Sequence, residues 1–522
     1  MNQICHLCSF RRAALFLSAA FFLAITAHAQ TKDSESANLQ RAAAAISEGQ
    51  LSQAETILNS ILASSPRDAD ALNLLGVTRA QQHKTTEAEN LFRQALVASP
   101  RHIGAHVNLG ELYFTTGRLT QALQILNAAY KLAPARTDVN LHLAAIYESR
   151  GEHALALDHL QRIERTEANG EYFQLLLKVL LNLKRFDEAR ALAGRFKDSL
   201  SGDPEETAQF AMTLAGDGLA EEALDLLSVA LKQHPDSFPL LYTLGVIHAE
   251  RKQYDQAERY LTEALQAKPA DVPTLRALGR VARARGELEK ALSYLVQARR
   301  LAPESPAVLY DFGVTALRMD LYLDALPPLE QIHSAYPRES KFTYALAAAR
   351  LRNGENAAAV NLLRGYVAAR PDDAAGFYLL GAGLLALKQY SEAQRDLEQS
   401  LKLKADADAE YLLGLVQYEL GNRMAAIATL RKVVSAKPEH AGAHTALGTA
   451  YREEGNFVGA RSTLERAITL DPHDLRAHYQ LGLVYAKLGD KDASQKMLTR
   501  AEELRGEQRK QETVVLKLVD TP

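Results

Sequence analysis

Residues 446–460 read ALGTAYREEGNFVGA. The apolar spacing predicts a helix, yet Gly448 stands inside it, where glycine costs ~1 kcal/mol relative to alanine. The position is not isolated. Glycine recurs at Gly76, Gly110, Gly245, Gly279, Gly313, Gly381, Gly414, Gly448 and Gly482. Alanine follows in step, from Ala54 and Ala88 through Ala257 and Ala291 to Ala426 and Ala460, and proline does so from Pro66 to Pro472. The step is 34 residues, with an occasional 33. A fixed period of this size is the mark of a stacked-repeat architecture.

Each period reads as two short helices. In 236–268, Leu241, Leu244, Gly245 and His248 form one helical face, and Ala257, Leu261, Ala264 and Leu265 form a second after a turn at Arg251-Lys252-Gln253. Pro269 stops the second helix, because proline cannot continue the hydrogen-bond ladder without strain. Asp68, Ser237, Asp271, Ser305 and Asp373 stand where an N-cap belongs. Fourteen such units cover 35–508. The missing side chain at Gly448 is expected to admit the small Ala460, bringing two backbones together.

With Leu-Gly-x-x-Tyr at Leu109–Tyr113, Leu447–Tyr451 and Leu481–Tyr485, the chain resembles the tetratricopeptide repeat (TPR) family. That resemblance implies an all-α, right-handed superhelical solenoid of about fourteen helix-turn-helix units, with the first helices lining a groove. It also implies binding of proteins or peptides, and no catalytic residue, metal or cofactor.

Some stretches depart from the pattern. In the fifth unit Leu177 takes the place of the small residue and Tyr172–Leu183 is apolar nearly all round, so a degenerate unit and a loosened joint are expected near 199–204. This divides units one to five (35–203) from units six to fourteen (204–508). Pro327 and Pro328 should shorten or kink a second helix. The tail, 509–522, contains the β-prone run Thr513–Val519.

The first 29 residues form a separate region. Arg11 and Arg12 precede the apolar run Ala13–Thr26, and Ala27-His28-Ala29 follows. A basic flank, a short apolar core and an Ala-x-Ala end make a secretory signal, cleaved after Ala29, with 30–34 as a linker. An N-terminal anchor is the alternative, although the run is shorter than the ~20 residues that span a bilayer. Both cysteines, Cys5 and Cys8, lie before the run, so the mature chain has no thiol. The expected location is the periplasm or outer envelope. A formal net charge of −3 gives no basic excess for nucleic acid.

No glycine pattern cradles phosphate, and no carboxylate pair is placed for acid–base work. His106, His444 and His478 share one place in their units, but on separate helices rather than at the i, i+4 spacing of a metal pair. The family resemblance implies that the fifth, ninth, twelfth and thirteenth places face the groove. The fifth holds Tyr242, Arg276, Tyr310, Tyr344, Tyr378, Tyr411, Thr445 and Tyr479 in the last eight units, against Asn73, Val107, Leu141 and Gln174 earlier. Tyrosine offers flat apolar surface with a polar tip. Arg276, Arg280 and Arg283 share one helix face, and 272–286 contains no acid to neutralise them. Arg318, Lys341 and Arg352 add positive charge in the next two units, with Glu250 and Asp311 as nearby compensation. These residues make a candidate groove for a protein or peptide, acidic segments included, within an envelope complex. The alternative is an acidic polysaccharide, as for TPR components of exopolysaccharide secretion, with arginines on sugar carboxylates and tyrosines on rings.

Overall fold

The computed structural model describes residues 30–164, 168–199 and 203–519. The expected signal segment lies outside them. Among the described residues the chain is all-helical, from α1 (Gln30–Ser47) to α28 (Lys491–Val519), and successive helices form the pairs of fourteen units. First helices after α1 are 13 or 14 residues long, and most second helices have 14. The packing divides the chain into two compact units, one ending at Ala267 and one beginning at Lys268.

Within a pair, the glycine is explained by a leucine or phenylalanine sixteen residues on. A Cβ at Gly448 would lie 2.5 Å from Leu464 Cγ, well inside van der Waals contact. Gly76 meets Phe92 in the same way, and Gly110, Gly245, Gly279, Gly313, Gly381, Gly414 and Gly482 each meet a leucine. This corrects the expectation that Ala460 is the close partner; its carbonyl oxygen is 3.4 Å from that Cβ position. Ala460 is fully buried, but the large side chain beyond it fills the space. Burial of that side chain offsets the helix penalty of the glycine.

The fifth unit inverts this couple. Leu177 occupies the small place, and sixteen residues later Ala193 occupies the large one; both are buried. The apolar run around Leu177 belongs to one continuous core from Leu141 to Ile247. Phe196 stacks on Phe210 of the next unit at 4.1 Å between ring centroids and meets Phe173 edge-on at 5.3 Å. The unit expected to be degenerate is therefore tightly packed into its neighbours.

The two helices of every unit are joined through one residue with positive φ. Nine of these are glycines, including Gly455, and five are His83, Lys184, Lys252, Asp320 and Lys388. That conformation is strained for residues with a Cβ. Caps are mixed: Asp68, Asp271 and Asp373 accept backbone N–H bonds, whereas Ser237 and Ser305 stand at the expected place without a side-chain cap bond.

Three boundary expectations change. α1 starts at Gln30, so 30–34 is helix rather than linker. α18 (Tyr322–Ala335) keeps its full 14 residues with both prolines inside, because burial of Leu326, Leu329 and Ile332 outweighs the lost ladder bonds. The β-prone run at 513–519 continues α28, since an established helix propagates at little cost per residue.

Candidate functional site

The fifth residue of each first helix makes a register through the stack. In the C-terminal compact unit it falls on Arg276 in α15 (Val272–Arg285), Tyr310 in α17 (Pro306–Arg318), Tyr344 in α19 (Ser340–Arg352), Tyr378 in α21 (Ala374–Ala386) and Tyr411 in α23 (Ala407–Glu419). It continues to Thr445 in α25 (Ala441–Glu453) and Tyr479 in α27 (Leu475–Leu488). Tyr242 lies in the other compact unit, where it stacks on Phe238 at 5.9 Å.

The rings of Tyr310, Tyr344, Tyr378 and Tyr411 are half-buried, and none of their hydroxyls finds a protein partner among the described residues. Burial pushes all four phenols up, so they stay protonated and able to donate. At Tyr344, burial is followed by smaller contributions from Asp373, Tyr378 and Tyr310. Three tyrosines off this register are committed: Tyr113, Tyr418 and Tyr485 donate to Glu89, Glu453 and Glu465 at 2.9, 2.6 and 2.7 Å. Tyr479, at 41% exposure, is the most open of the series, and Tyr411 tilts against His440 at 4.6 Å.

The arginines are less alike than their spacing suggests. Arg276 places Nε and Nη2 at 3.0 and 2.8 Å from Asp311 Oδ2. Arg283 Nη1 donates to the Asp311 carbonyl at 3.1 Å and to Thr315 Oγ1 at 3.0 Å, with Nη2 3.5 Å from Asp311 Oδ1. Asp311 is only 4% exposed. A buried carboxylate from the next unit thus pairs with two arginines that have no acid on their own helix, and offsets half of their charge. Arg280 stands between them in sequence, exposed, with no ion pair among the described residues. Arg318 is also exposed and makes one long bond, 3.4 Å, to the Arg283 carbonyl. Arg352 pairs with Asp320. Lys341 lies 5.0 Å from the Phe342 ring centroid and 5.8 Å from that of Tyr310.

The same register in the N-terminal compact unit is taken up by packing at four of its places, with the half-buried Tyr242 an exception. Val107 and Leu141 are buried, Asn73 accepts from Asn108 at 2.9 Å, and Gln174 donates to the Glu206 carbonyl at 3.2 Å. One group there carried no sequence signal, because its members stand on three separate helices. His142 Nδ1 donates to the Asp138 carbonyl at 2.7 Å, and Nε2 lies 3.8 Å from Glu111. Burial opposes the charged form of His142, but the adjacent Glu111 carboxylate, helped by the Asp138 carbonyl and Glu171, raises its pKa to about 9.

The histidines at the repeated fourth place have structural work. His106 bonds the His102 carbonyl at 3.1 Å, while His444 and His478 bond the carbonyls of Pro438 and Pro472 at 3.0 Å. Thr449, Arg452 and Glu453, which flank Gly448 and Tyr451, are committed as well. Thr449 is buried on the Thr445 carbonyl, Arg452 donates to Gln480 at 2.7 Å, and Glu453 accepts from Tyr418 and Arg423.

Together, the paired helices and their one-register face define a helical-repeat protein built for macromolecular contact. The sequence matches three family profiles, each described as tetratricopeptide repeat. One matches residues 39–103, 310–374, 378–441 and 411–474, a second 79–129, 117–179, 214–281 and 451–510, and a third 274–307. The chain belongs to the tetratricopeptide repeat family. No curated protein matches the sequence. Among solved structures, the APC/C hetero-tetramer Cut9-Hcn1 is similar at 17% identity, covering 85% of this chain and 95% of that one, with a TM-score of 0.44. Yeast Tom70 is 15% identical over 87% of this chain and 99% of its own, with a TM-score of 0.33. A tetratricopeptide repeat protein from Parabacteroides merdae is 18% identical over 47% and 97%, with a TM-score of 0.38.

Proposed function

We propose that this chain is a non-catalytic, exported scaffold that holds a protein partner along the first-helix face of its C-terminal compact unit. TPR proteins are interaction scaffolds as a class, and the signal-like segment at 1–29 supports export to the periplasm or outer envelope. The observation that carries the site is the row Tyr310, Tyr344, Tyr378 and Tyr411, with half-buried rings and unclaimed hydroxyls. Flat rings contribute apolar contact at low entropic cost, and the hydroxyls can meet a bound segment's backbone.

The test is capture from envelope extract with the chain beginning at Gln30, comparing wild type with a variant changing all four tyrosines to serine. A defined protein retained by wild type and lost by the variant is the expected result. Equal capture by both would show that the tyrosine row does not bind the partner. Retention of acidic glycan alone would replace a protein partner by a polysaccharide.

A further inference from the structure

The second helices carry a face of their own. α16 (Leu288–Leu301) and α18 are second helices of neighbouring units, and an open cleft of about 550 Å³ runs along α16. Glu289, Leu292, Ser293, Val296, Gln297 and Arg300 line it, with Met319 from the turn before α18. The six α16 residues recur at intervals of three and four, so they share one helix face. On the α18 side, the Gln331 amide donates to the Glu304 carboxylate in the loop after α16, and the exposed Pro327 stands one turn before Gln331. Arg259 and Arg395 hold the same place as Pro327 two units away in either direction. Proline has no long side chain to lay across the cleft, which stays open here.

Charge follows a definite order along this face. Glu289 stands at one end and Arg300 at the other, ~16 Å apart along the helix. Both are exposed, and neither has an ion-pair partner among the described residues. The residues between them are uncharged. Counted from either end the face has the same spacing: 289 mirrors 300, 292 mirrors 297, and 293 mirrors 296. Such a face complements itself when it is reversed, which is the requirement of a contact with two-fold symmetry.

We propose that α16 is a two-fold contact between two copies of this chain. The two α16 helices pack antiparallel, so that Glu289 of each copy meets Arg300 of the other while Leu292 and Val296 of both cover one another. Charge complementarity selects the occupant. A helix from an unrelated protein would need an acid and a base in matching order, whereas a second copy brings them by symmetry. The antiparallel arrangement also sets opposite ends of the two helix dipoles together. Leu323, one turn before Pro327 and 68% exposed, adds an apolar rim. Both helices are second helices of their units, so the contact leaves the first-helix face free for its partner.

The test is sedimentation velocity of the chain beginning at Gln30 across about 1–200 µM, the range in which a small, partly polar contact associates. Wild type should pass from monomer to dimer within it. Glu289→Arg or Arg300→Glu alone turns both symmetry-related pairs into like charges, and each should raise the dissociation constant about tenfold or more. The double variant restores opposite charges in reversed order and should return to within about threefold of wild type. An equimolar mixture of the two single variants should form a heterodimer, because one copy then carries two bases and the other two acids. Both positions are exposed, and circular dichroism confirms that each variant is folded. A wild type that stays monomeric throughout overturns the contact. So does a dimer indifferent to the single reversals, or a folded double variant as weak as the singles.

Discussion

The fifth helical place is occupied in both compact units but serves different ends. In the N-terminal unit Val107 and Leu141 are buried there, and Asn73 and Gln174 spend their polar groups on neighbouring helices. In the C-terminal unit the same place carries half-buried tyrosines with uncommitted hydroxyls. A repeat requires only that each unit bury its faces against the next. Once the small–large couple sixteen residues apart secures that burial, the fifth place can strengthen the stack or be left for a partner. The fold is shared, and the occupancy of this place distinguishes most of one unit from most of the other, with Tyr242 and the buried Thr445 as the exceptions.

The largest effects should come from the packing that closes the N-terminal face. Leu177→Gly should cost about 3–5 kcal/mol through the cavity it opens beside Ala193. Ala193→Leu alone should cost about 1–3 kcal/mol by overpacking. The two together restore the glycine–leucine couple of the other units and should recover most of the loss, as read from urea unfolding. If the double variant is no more stable than Leu177→Gly, the inverted couple is not what holds this unit.

Next in size is a matched pair at the fifth place. Leu141→Ala should destabilise the fold by about 2–5 kcal/mol. Tyr344→Phe should change stability by less than about 1 kcal/mol, because it removes a hydroxyl with no protein partner, yet it should lower partner capture measurably. Equal destabilisation by the two would erase the contrast.

Two histidines of one unit should respond to pH in opposite ways. His142 has a folded-state pKa of about 9, above its ordinary value, so its stabilising contribution is complete below about 6.5 and is lost as pH rises through 9. Thermal melts should therefore show a deficit for His142→Gln at pH 6 that vanishes by about pH 10. His159 is buried against Tyr147 and Tyr130, with Nδ1 bonded to Asn140 at 2.9 Å, and burial lowers its pKa. Protonation of the unfolded chain then costs stability as pH falls below about 6.5, and His159→Gln should flatten that loss.

The smallest effects belong to the interhelical turns. Lys184→Gly in one compact unit and Lys388→Gly in the other replace a left-handed residue that carries a Cβ. Each should stabilise by up to about 1 kcal/mol, read as a shift in the urea midpoint, and the two should agree because the turn is common to both units.

The period, the helix pairs and the tyrosine row were legible because they depend on spacing within a unit. What escaped depends on how one helix sits against another. Ala460 was as plausible a partner for Gly448 as Leu464 until the crossing of the two helices placed the leucine side chain in the gap. Leu177 reads as the mark of a degenerate unit because its compensation, Ala193, is conspicuous only as a missing leucine. The role of Asp311 was partly visible as a nearby acid. That it holds both Arg276 and Arg283, and not Arg280, depends on the alignment of α17 on α15. The tail ran against its β propensity because continuation of α28 is a property of the helix before it.

Whether a partner lies on the first-helix face of the C-terminal compact unit can be decided by site-specific photo-cross-linking. A benzophenone amino acid would be placed at Tyr378 in one variant and at Gln174, the same register place in the other compact unit, in a second. The expected result is a defined protein adduct from position 378, reduced by the remaining tyrosine-to-serine changes, and none from 174. An adduct from 174 alone, or one from 378 that survives those changes, would contradict a partner seated on the tyrosine row.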